Sequence, residues 1–285
     1  MDLPVRQWLR PASLDEAVAL LAANPRARAV AGGTDLVVQL RDGRRSAEAL
    51  VDLSHLGLAG IDERDGGLEI GAGTPMAEIA GHPAVRRLCP ALAAAAGLVG
   101  AWLIQNRATL GGNLANASPA ADTVPPLMVG GAEVAVVGRD GRRTIAVDEL
   151  FLGPGRTALA ADELIVSVYL PSPPPGRVVE RFAKVGPRRE QIIAMVSLAG
   201  RAVVGAGGSL ATVRIALGAV APTPMRARRA EAFLTGRRPD PETVREAVRQ
   251  LELDIAPIDD VRAPASYRRI AAAVLLDRFL EACRG

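Results

Sequence analysis

A run of prolines divides the chain of 285 residues into two parts with different residue patterns. Proline lacks a backbone N–H and interrupts both helices and strands, so residues 171–176 predict a domain boundary. The length and the 49% of hydrophobic residues also favour about two domains, each with a sizeable core. We therefore predict one domain over residues 1–175 and a second over residues 176–285.

The first part alternates short helices and strands. Ser13 followed by Glu16 is the pattern of a capping box and predicts a helix from Leu14 to about Ala23. A strand, a glycine turn, a helical turn and a second strand are then predicted, with the regular elements over 28–31, 36–40 and 49–53. This order indicates a compact α/β subdomain up to about residue 56.

Residues 57–175 are predicted to form a second subdomain. Two turn sequences of the Asp-Gly type, 64–67 and 138–141, each join two strand-like runs and predict hairpins. We also predict a helix that begins at Thr74-Pro75, and a long helix, a glycine-rich loop and a strand over 90–103, 109–113 and 163–170.

The C-terminal part contains strands first and helices afterwards. Strand-like runs at 178–185, 192–204 and 210–220 have short connections, which predict an antiparallel sheet. Helical patterns follow at 225–234, 241–251 and 264–283. This order predicts an α+β domain with its helices on one face of the sheet.

Composition excludes several function classes. The net charge is only +3, the arginines are scattered, and aromatic residues are 3% of the chain, so nucleic acid is not an expected partner. Cys89 and Cys283 are far apart and only two histidines are present, so we expect no metal and no iron–sulfur cluster in this chain. The longest apolar run, 91–104, is too short to span a membrane, and we predict a cytoplasmic protein.

Two short sequences with paired glycines are candidate phosphate-binding loops: Ala31-Gly32-Gly33-Thr34-Asp35 and Thr109-Leu110-Gly111-Gly112-Asn113. Without Cβ atoms, paired glycines let the backbone turn sharply and present several N–H groups to a phosphate oxygen. Because Asp35 would repel a phosphate, we expect its side chain to bind the amides of its own loop or a ribose. A single Gly-Gly after a strand is more often a structural turn, whereas the two loops together favour a ligand as much as a turn.

Both loops resemble the FAD-binding medium subunit of molybdenum hydroxylases of the xanthine dehydrogenase and carbon monoxide dehydrogenase type. The resemblance includes Ala31 to Asp35, and the second loop together with Asn106-Arg107-Ala108 before it and Ala115-Asn116-Ala117-Ser118-Pro119-Ala120-Ala121-Asp122 after it. The resemblance extends through three more stretches and covers essentially the whole chain; these stretches are 181–189, 216–224 and 259–262. It implies an α+β fold: a two-subdomain, PCMH-like FAD-binding region and a C-terminal domain of antiparallel sheet plus helix bundle.

The resemblance also implies which residues bind non-covalent FAD. The pyrophosphate would be lined by two segments: Ala29, Val30, Ala31, Gly32, Gly33, Thr34, Asp35 and Leu36, and Thr109, Leu110, Gly111, Gly112 and Asn113. Asp122 would bind the ribose or polar groups beside the ring, unless it is a helix cap. Ile165 and Lys184 would lie near the isoalloxazine ring, and Val99 would be an apolar contact.

Lys184 is the only lysine in the chain. A cation beside the flavin stabilises its anionic reduced form and raises its potential, although a lysine on a strand surface is the alternative. No histidine or cysteine pattern indicates catalysis by this chain itself, so no catalytic residue is assigned.

By this resemblance, the chain would be the electron-transfer subunit of a heterotrimer. The molybdopterin would belong to a large partner subunit and the [2Fe-2S] clusters to a small one, and electrons would leave to an external small-molecule or protein acceptor. Two alternatives remain: a self-sufficient FAD-dependent oxidase or dehydrogenase, and a non-catalytic assembly module in which the glycine loops are structural turns.

Overall fold

The N-terminal part forms a small parallel sheet with the strand order β1-β3-β2. The computed structural model describes residues 5–188 and 191–285, so Arg189, the last residue of the stretch 181–189, lies outside it. The elements are β1 (Gln7–Leu9), α1 (Leu14–Ala23), β2 (Ala27–Val30), α2 (Leu36–Arg41) and β3 (Ala49–Asp52).

The predicted start of α1 is confirmed. The Ser13 hydroxyl accepts a hydrogen bond from the Glu16 N–H, and the Glu16 carboxylate accepts one from the Ala12 N–H at 2.7 Å. The first bond is that of a capping box, whereas the second goes to the residue before the cap rather than to the Ser13 N–H. Strand β1 was not predicted, because three residues are too few to show an alternating pattern. It pairs with β3 in parallel, with Trp8 opposite Leu50.

The next part builds a five-stranded antiparallel sheet with the order β4-β5-β10-β6-β7. Both predicted hairpins, β4–β5 and β6–β7, are present. The elements are β4 (Ile61–Arg64), β5 (Gly67–Gly71), α3 (Met76–Gly81), α4 (Pro83–Leu88), α5 (Pro90–Ala96), α6 (Trp102–Gln105), α7 (Leu110–Asn116), α8 (Val124–Gly130), β6 (Glu133–Gly138), β7 (Gly141–Ala146), β8 (Phe151–Gly153), β9 (Arg156–Thr157) and β10 (Leu164–Leu170).

The C-terminal part contains the antiparallel sheet β11-β12-β13-β14, as the strand-like runs predicted. Strand β12 begins at Val196 rather than at residue 192, and the predicted helix 225–234 begins with the short strand β14 instead. The elements are β11 (Arg177–Val185), β12 (Val196–Val204), β13 (Leu210–Gly218), β14 (Met225–Arg226), α9 (Arg228–Leu234), α10 (Pro241–Asp254) and α11 (Ala265–Arg284).

This C-terminal sheet is buried on both faces. On its outer face, Leu198 and Ile215 belong to a core shared with Leu276 of α11. On its inner face, Ala199 and Ala216 belong to the core of the preceding part, and α5 and α8 pack there. The α+β fold predicted for the chain is therefore confirmed, with the sheet as the middle layer between the two sets of helices.

The predicted helix 90–103 is wrong beyond Ala96. Helix α5 is capped at Gly97, and Gly100 has a φ of 56°, in the left-handed region that ends helices. The chain then turns into the short helix α6. Residues 109–113 also differ from the prediction, because they form the first turn of α7 rather than a loop.

Among the described residues, no helix combines the length and the apolar character needed to cross a membrane. In the same part of the chain, no cluster of three or more His, Cys, Asp or Glu side chains is placed to hold a metal ion.

The core between α11 and the sheet can be tested with two variants on one helix. Leu276 is fully buried, so Leu276→Ala should lower the free energy of unfolding by about 2–5 kcal/mol through lost burial and a cavity. Val274 is exposed on the same helix, and Val274→Ala should change it by less than about 0.5 kcal/mol. Urea denaturation measures both values, and equal losses would contradict the packing described here.

Candidate functional site

Two adjoining chambers form a cleft between the β2–α2 turn and the segment that contains α6 and α7. Their volumes are about 410 and 320 Å³. The first contains Val30 and Leu36 in its lining, and the second contains Leu53 and Ile165. The wall that both chambers share consists of Ala29, Ala31, Gly32, Thr109, Gly112 and Ala115. The two glycine sequences therefore meet at the centre of the cleft, although 73 residues lie between Asp35 and Thr109 in the chain.

The β2–α2 turn supplies hydrogen-bond donors that the protein itself does not use. Within residues 5–188 and 191–285, the backbone N–H groups of residues 32–36 have no protein acceptor. Gly33 has a φ of 72°, and a Cβ atom on Gly32 would lie 1.8 Å from the Arg107 carbonyl oxygen. Both positions therefore require glycine. A run of free N–H groups in such a turn is suited to bind an anion.

The α7 segment differs from the predicted phosphate loop. Its first N–H groups already have protein acceptors: Leu110 donates to the Thr74 carbonyl, Gly111 to the Ala72 carbonyl at 2.8 Å, and Gly112 to the Thr109 hydroxyl at 3.1 Å. The physical reason is that Thr109 caps the helix, whose first turn closes on itself and on the chain before α3. These amides are therefore not free to hold a phosphate.

The two glycines of α7 have different surroundings. A Cβ atom on Gly111 would lie 2.7 Å from the Ala72 Cβ and 3.0 Å from the Ala72 carbonyl oxygen. A Cβ atom on Gly112 would approach only the Thr109 hydroxyl within 4 Å, at 2.9 Å. Close packing inside the protein thus requires Gly111, whereas Gly112 leaves open space in the cleft wall.

The Asp35 side chain does not bind the amides of its own loop, which was one of the two partners predicted for it; a ribose was the other. Its carboxylate accepts hydrogen bonds from the Gln39 side-chain amide at 2.8 Å and from the Asn116 side-chain amide. Gln39 also donates to the Asn116 side-chain oxygen at 2.9 Å. Because Asn116 belongs to α7, these bonds tie the two glycine segments together across the cleft and leave the turn amides free.

Apolar residues line part of each chamber. Those of the first chamber include Val99, Ile104 and Ile193, and those of the second include Leu53, Leu58, Leu159 and Ile165. Ile165 lies at a register shift between β10 and β6. Ile165, which the resemblance placed near the isoalloxazine ring, therefore lies in a different chamber from Val99, which the resemblance gave as an apolar contact.

Lys184 and Asp122 form an ion pair behind the wall of the first chamber. The Lys184 Nζ donates to the Asp122 carboxylate at 2.6 Å and to the Leu98 carbonyl at 3.1 Å, next to Val99. The side chains are only 3% and 9% exposed, so Lys184 is not a surface lysine. Asp122 is not the cap of α8 either, because Thr123 holds that position. Neither side chain lines a chamber.

This pair has an unsatisfied carboxylate oxygen. The Asp122 Oδ1 is buried and has no hydrogen-bond partner in the described part of the chain, and the same holds for the Ser197 hydroxyl. Ser197 lies directly opposite Lys184 in the sheet. Burial raises the pKa of Asp122 from its ordinary value of 3.8 to about 6, while the Lys184 ammonium opposes this shift.

The comparisons with known proteins assign the family. A family model described as FAD binding domain in molybdopterin dehydrogenase matches residues 4–173, and one described as CO dehydrogenase flavoprotein C-terminal domain matches residues 181–283. The chain belongs to the FAD-binding medium subunits of the molybdenum hydroxylase family. The resemblance seen in the sequence is thereby confirmed, as is its assignment to an oxidoreductase. In this family, molybdopterin and the iron–sulfur clusters belong to other subunits.

Individual relatives agree over nearly their whole length. The chain is 31% identical over 261 residues to the xanthine dehydrogenase FAD-binding subunit of Escherichia coli O157:H7, which covers 91% of this chain and 89% of that protein. It is 33% identical over 279 residues to the nicotine 6-hydroxylase medium subunit of Paenarthrobacter nicotinovorans, with 98% and 97% covered. In reconstituted CO dehydrogenase from Oligotropha carboxidovorans, one chain matches with a TM-score of 0.95 at 31% identity and complete coverage of both chains.

Most of the predicted residues of this medium subunit lie at the cleft. Leu110 is fully buried beneath it, and Asp122 and Lys184 lie behind the first chamber. Gly111 and Ile165 line the second chamber only. The predicted residues that line the first chamber are Ala29, Val30, Ala31, Gly32, Gly33, Thr34, Asp35, Leu36, Val99, Thr109, Gly112 and Asn113.

Sequence reasoning missed several lining residues of the medium subunit. Arg28 and Arg45 bring positive charge to the first chamber, and Gln39 and Asn116 join its two sides. Arg28 precedes the first glycine turn on the same predicted strand, and Asn116 lies within the quoted motif, so both carried a local signal. Ile193 had none, because its place at the cleft depends on how β12 packs.

The raised pKa of Asp122 predicts a pH dependence of stability. A carboxyl with a higher pKa in the folded than in the unfolded chain contributes most to stability while it is protonated. The stability that Asp122 contributes should therefore be complete below pH 3.8 and be lost as the pH rises through about 6. Urea unfolding of the wild type and of Asp122→Asn should show a difference in free energy that falls over this range.

Asp162→Asn is the matched control for this pH series. Hydrogen bonds from Arg139 lower the pKa of Asp162, so the stability that this carboxyl contributes should be lost towards acid pH instead. A difference between the wild type and Asp122→Asn that grows as the pH rises would contradict the raised pKa of Asp122.

Proposed function

We propose that this medium subunit is the electron-transfer subunit of a heterotrimeric molybdenum hydroxylase, and that its cleft holds one non-covalent FAD. The observation that carries the proposal is the shared wall of the cleft. There, Gly32 begins the run of N–H groups at residues 32–36 that have no acceptor among the described residues, and it shares the wall with Gly112, which leaves space for a ligand.

The shared wall fits the pyrophosphate. Free backbone N–H groups can donate to phosphate oxygens, and Arg28 and Arg45 in the first chamber reduce the cost of bringing in negative charge. The Asn113 side chain lines the same chamber, where its oxygen accepts a bond from the Thr123 hydroxyl at 2.6 Å. That bond orients the Asn113 NH₂ group as a further donor.

The apolar side chains that line the two chambers fit the two ring systems of FAD. We assign the flavin ring to the first chamber, because Lys184 lies behind its wall next to Val99. The second chamber, with Leu53, Leu58 and Ile165, then receives the adenine. In this arrangement Ile165 contacts the adenine end, which revises the position beside the flavin that the resemblance implied.

Bound FAD would supply the redox chemistry, by accepting electrons and passing them on. The residues of this chain hold and tune it. Lys184 provides a positive charge near the first chamber, and Asp122 and the Leu98 carbonyl hold that charge in place. Val99, Ile104 and Ile193 present apolar surface that excludes water from the chamber.

The partners follow from the family and from the contents of this chain. We propose that a small subunit delivers electrons from its [2Fe-2S] clusters, that a large subunit carries molybdopterin, and that an external acceptor takes the electrons from this subunit. We also propose the domain boundary at residues 175 and 176, between β10 and β11, and a cytoplasmic location.

An absorbance spectrum of the purified chain, reconstituted with FAD where needed, tests the function. We expect a yellow protein whose cofactor is released by acid precipitation as FAD, and which does not oxidise organic substrates alone. Turnover by the chain alone would support a self-sufficient oxidase instead. A folded chain that takes up no flavin would leave the assembly-module alternative.

Gly112→Ala tests the open space in the cleft wall. The new Cβ should project into the ligand space and raise the dissociation constant for FAD by about tenfold or more, a loss of about 1.4 kcal/mol of binding free energy. The unfolding free energy of the FAD-free chain should change by less than about 1 kcal/mol, because the weakened Thr109 cap is offset by the higher helix propensity of alanine. Fluorescence titration with FAD and urea denaturation measure the two effects.

Gly111→Ala is the matched control in the same helical turn, with the same gain in helix propensity. Its Cβ meets Ala72, so it should lower the unfolding free energy by about 1–3 kcal/mol through overpacking. If Gly112→Ala retains wild-type FAD affinity, the phosphate site does not lie at this wall.

A further inference from the structure

Arg268 in α11 is a buried arginine with an unusual set of partners. Its side chain is 1% exposed, and Arg268 does not belong to the proposed flavin site. One guanidinium nitrogen, Nη1, donates to the Met195 carbonyl at 2.6 Å and to the Ala219 carbonyl at 2.9 Å. The other, Nη2, donates to the Asp260 carboxylate at 2.7 Å. The planar guanidinium thus joins three separate segments of the chain.

Asp260 fixes the orientation of this guanidinium. Its Oδ1 accepts from Arg268 and from the Arg262 N–H, and its Oδ2 accepts from the Arg262 side chain. Hydrogen bonds from Arg262 hold the pKa of Asp260 well below its usual range, so the carboxylate stays charged. The neighbouring Asp259 accepts from the Ala265 N–H at the start of α11. The sequence Asp259-Asp260-Val261-Arg262, which the resemblance left without a role, therefore anchors Arg268.

The carbonyl groups that Arg268 holds belong to segments that are connected to residues at the proposed flavin chamber. Met195 is two residues beyond Ile193, which lines the first chamber. Ala219 follows β13, and its N–H donates to the Pro119 carbonyl at 2.8 Å. Pro119 in turn lies three residues before Asp122, the partner of Lys184. Ala120, Ala194 and Ala219 also form one small buried cluster.

The backbone at Ala219 is strained. Its φ of 63° lies in the left-handed region, which is unfavourable for a residue with a Cβ atom. Such a conformation persists only where its surroundings hold it. Two hydrogen bonds hold Ala219: its N–H donates to the Pro119 carbonyl, and its carbonyl accepts from Arg268. Arg268 therefore keeps the end of β13 against the segment that carries Asp122.

We infer that Arg268 is a positioning residue for the flavin site: anchored by Asp260, it sets where the Asp122–Lys184 pair and Ile193 stand relative to the first chamber. The inference rests on the proposed function, since it concerns the same cleft. Arg268 itself lines neither chamber, so its influence on a bound flavin is exerted through Ala219, Pro119 and Met195.

A second buried arginine on the same sheet provides a matched comparison. Arg201 is 7% exposed and donates to the Glu180 carboxylate, which also accepts from the Ala91 N–H at the start of α5. Arg201 lies four residues along β12 from Ser197, or about 13 Å, and it does not line a chamber. It stabilises the contact between the sheet and α5 without touching the segments beside the cleft.

The test compares Arg268→Lys with Arg201→Lys in the full chain reconstituted with FAD. A lysine keeps the charge, but its compact ammonium does not reproduce the planar fork of donors that spans the Arg268 partners. We expect Arg268→Lys to raise the dissociation constant for FAD about tenfold and to lower the flavin reduction potential. The visible absorption of the bound flavin should also change. Arg201→Lys should lower thermal stability comparably, but change FAD affinity by less than about twofold.

Asp260→Asn and Glu180→Gln form a milder pair if Arg268→Lys does not fold. Asp260→Asn leaves Arg268 in place but loosens its anchor, and it should lower the flavin potential, whereas Glu180→Gln should not. If the two variants of either pair have equal flavin potentials, spectra and FAD affinities while the wild type binds FAD, the inference about Arg268 is wrong and the proposed function is unaffected. A folded wild-type chain that binds no FAD would overturn the proposed function and this inference with it.

Discussion

The inner face of the C-terminal sheet, pressed against α5 and α8, is the contact on which the rest of this medium subunit depends. Small residues such as Ala199 and Ala216 let the helices approach the strands closely, and the apolar surface buried there joins the two halves of the chain. Because the same sheet packs against α11 on its other face, a shift of the sheet would move both layers. Lys184 of this sheet pairs with Asp122 behind the first chamber, so the position of the sheet also affects the cleft.

Two buried ion pairs lie on this apolar face: Lys184–Asp122 near the cleft and Glu180–Arg201 farther along the sheet. Removing charges from water is costly, and burial raises the pKa of both carboxyls above their ordinary values. The two pairs differ in how fully they are satisfied. Glu180 accepts from Arg201 with one oxygen and from the Ala91 N–H with the other, whereas the Asp122 Oδ1 is left without a partner in the described residues. The incomplete pair is the one beside the proposed flavin chamber, which is where unsatisfied polar groups are expected to serve function rather than stability.

Much of the fold was predictable where the signal was local. Three features need only a few neighbouring residues, and each formed as expected: the helix cap at Ser13, the Asp-Gly hairpin turns and the glycine turn at residues 31–35. The predictions failed where distant contacts decide. Helix α5 stops at Ala96, and the chain beyond it passes Lys184, which binds the Leu98 carbonyl. The α7 amides donate to carbonyl groups at Ala72 and Thr74, so the donors of the proposed phosphate site lie mainly on one side of the cleft instead of both.

The sequence by itself determined the family, the α+β order of elements and the positions that must be glycine, because motifs and backbone requirements are written in consecutive residues. Only the tertiary structure decided what those residues do together. It divided the cleft into two chambers, placed Ile165 and Val99 apart, and paired Lys184 with Asp122, which is 62 residues away. It also brought Arg268 to the ends of β12 and β13. These contacts join side chains that are far apart in sequence, and their partners are selected by packing and by the cost of leaving a buried polar group unpaired.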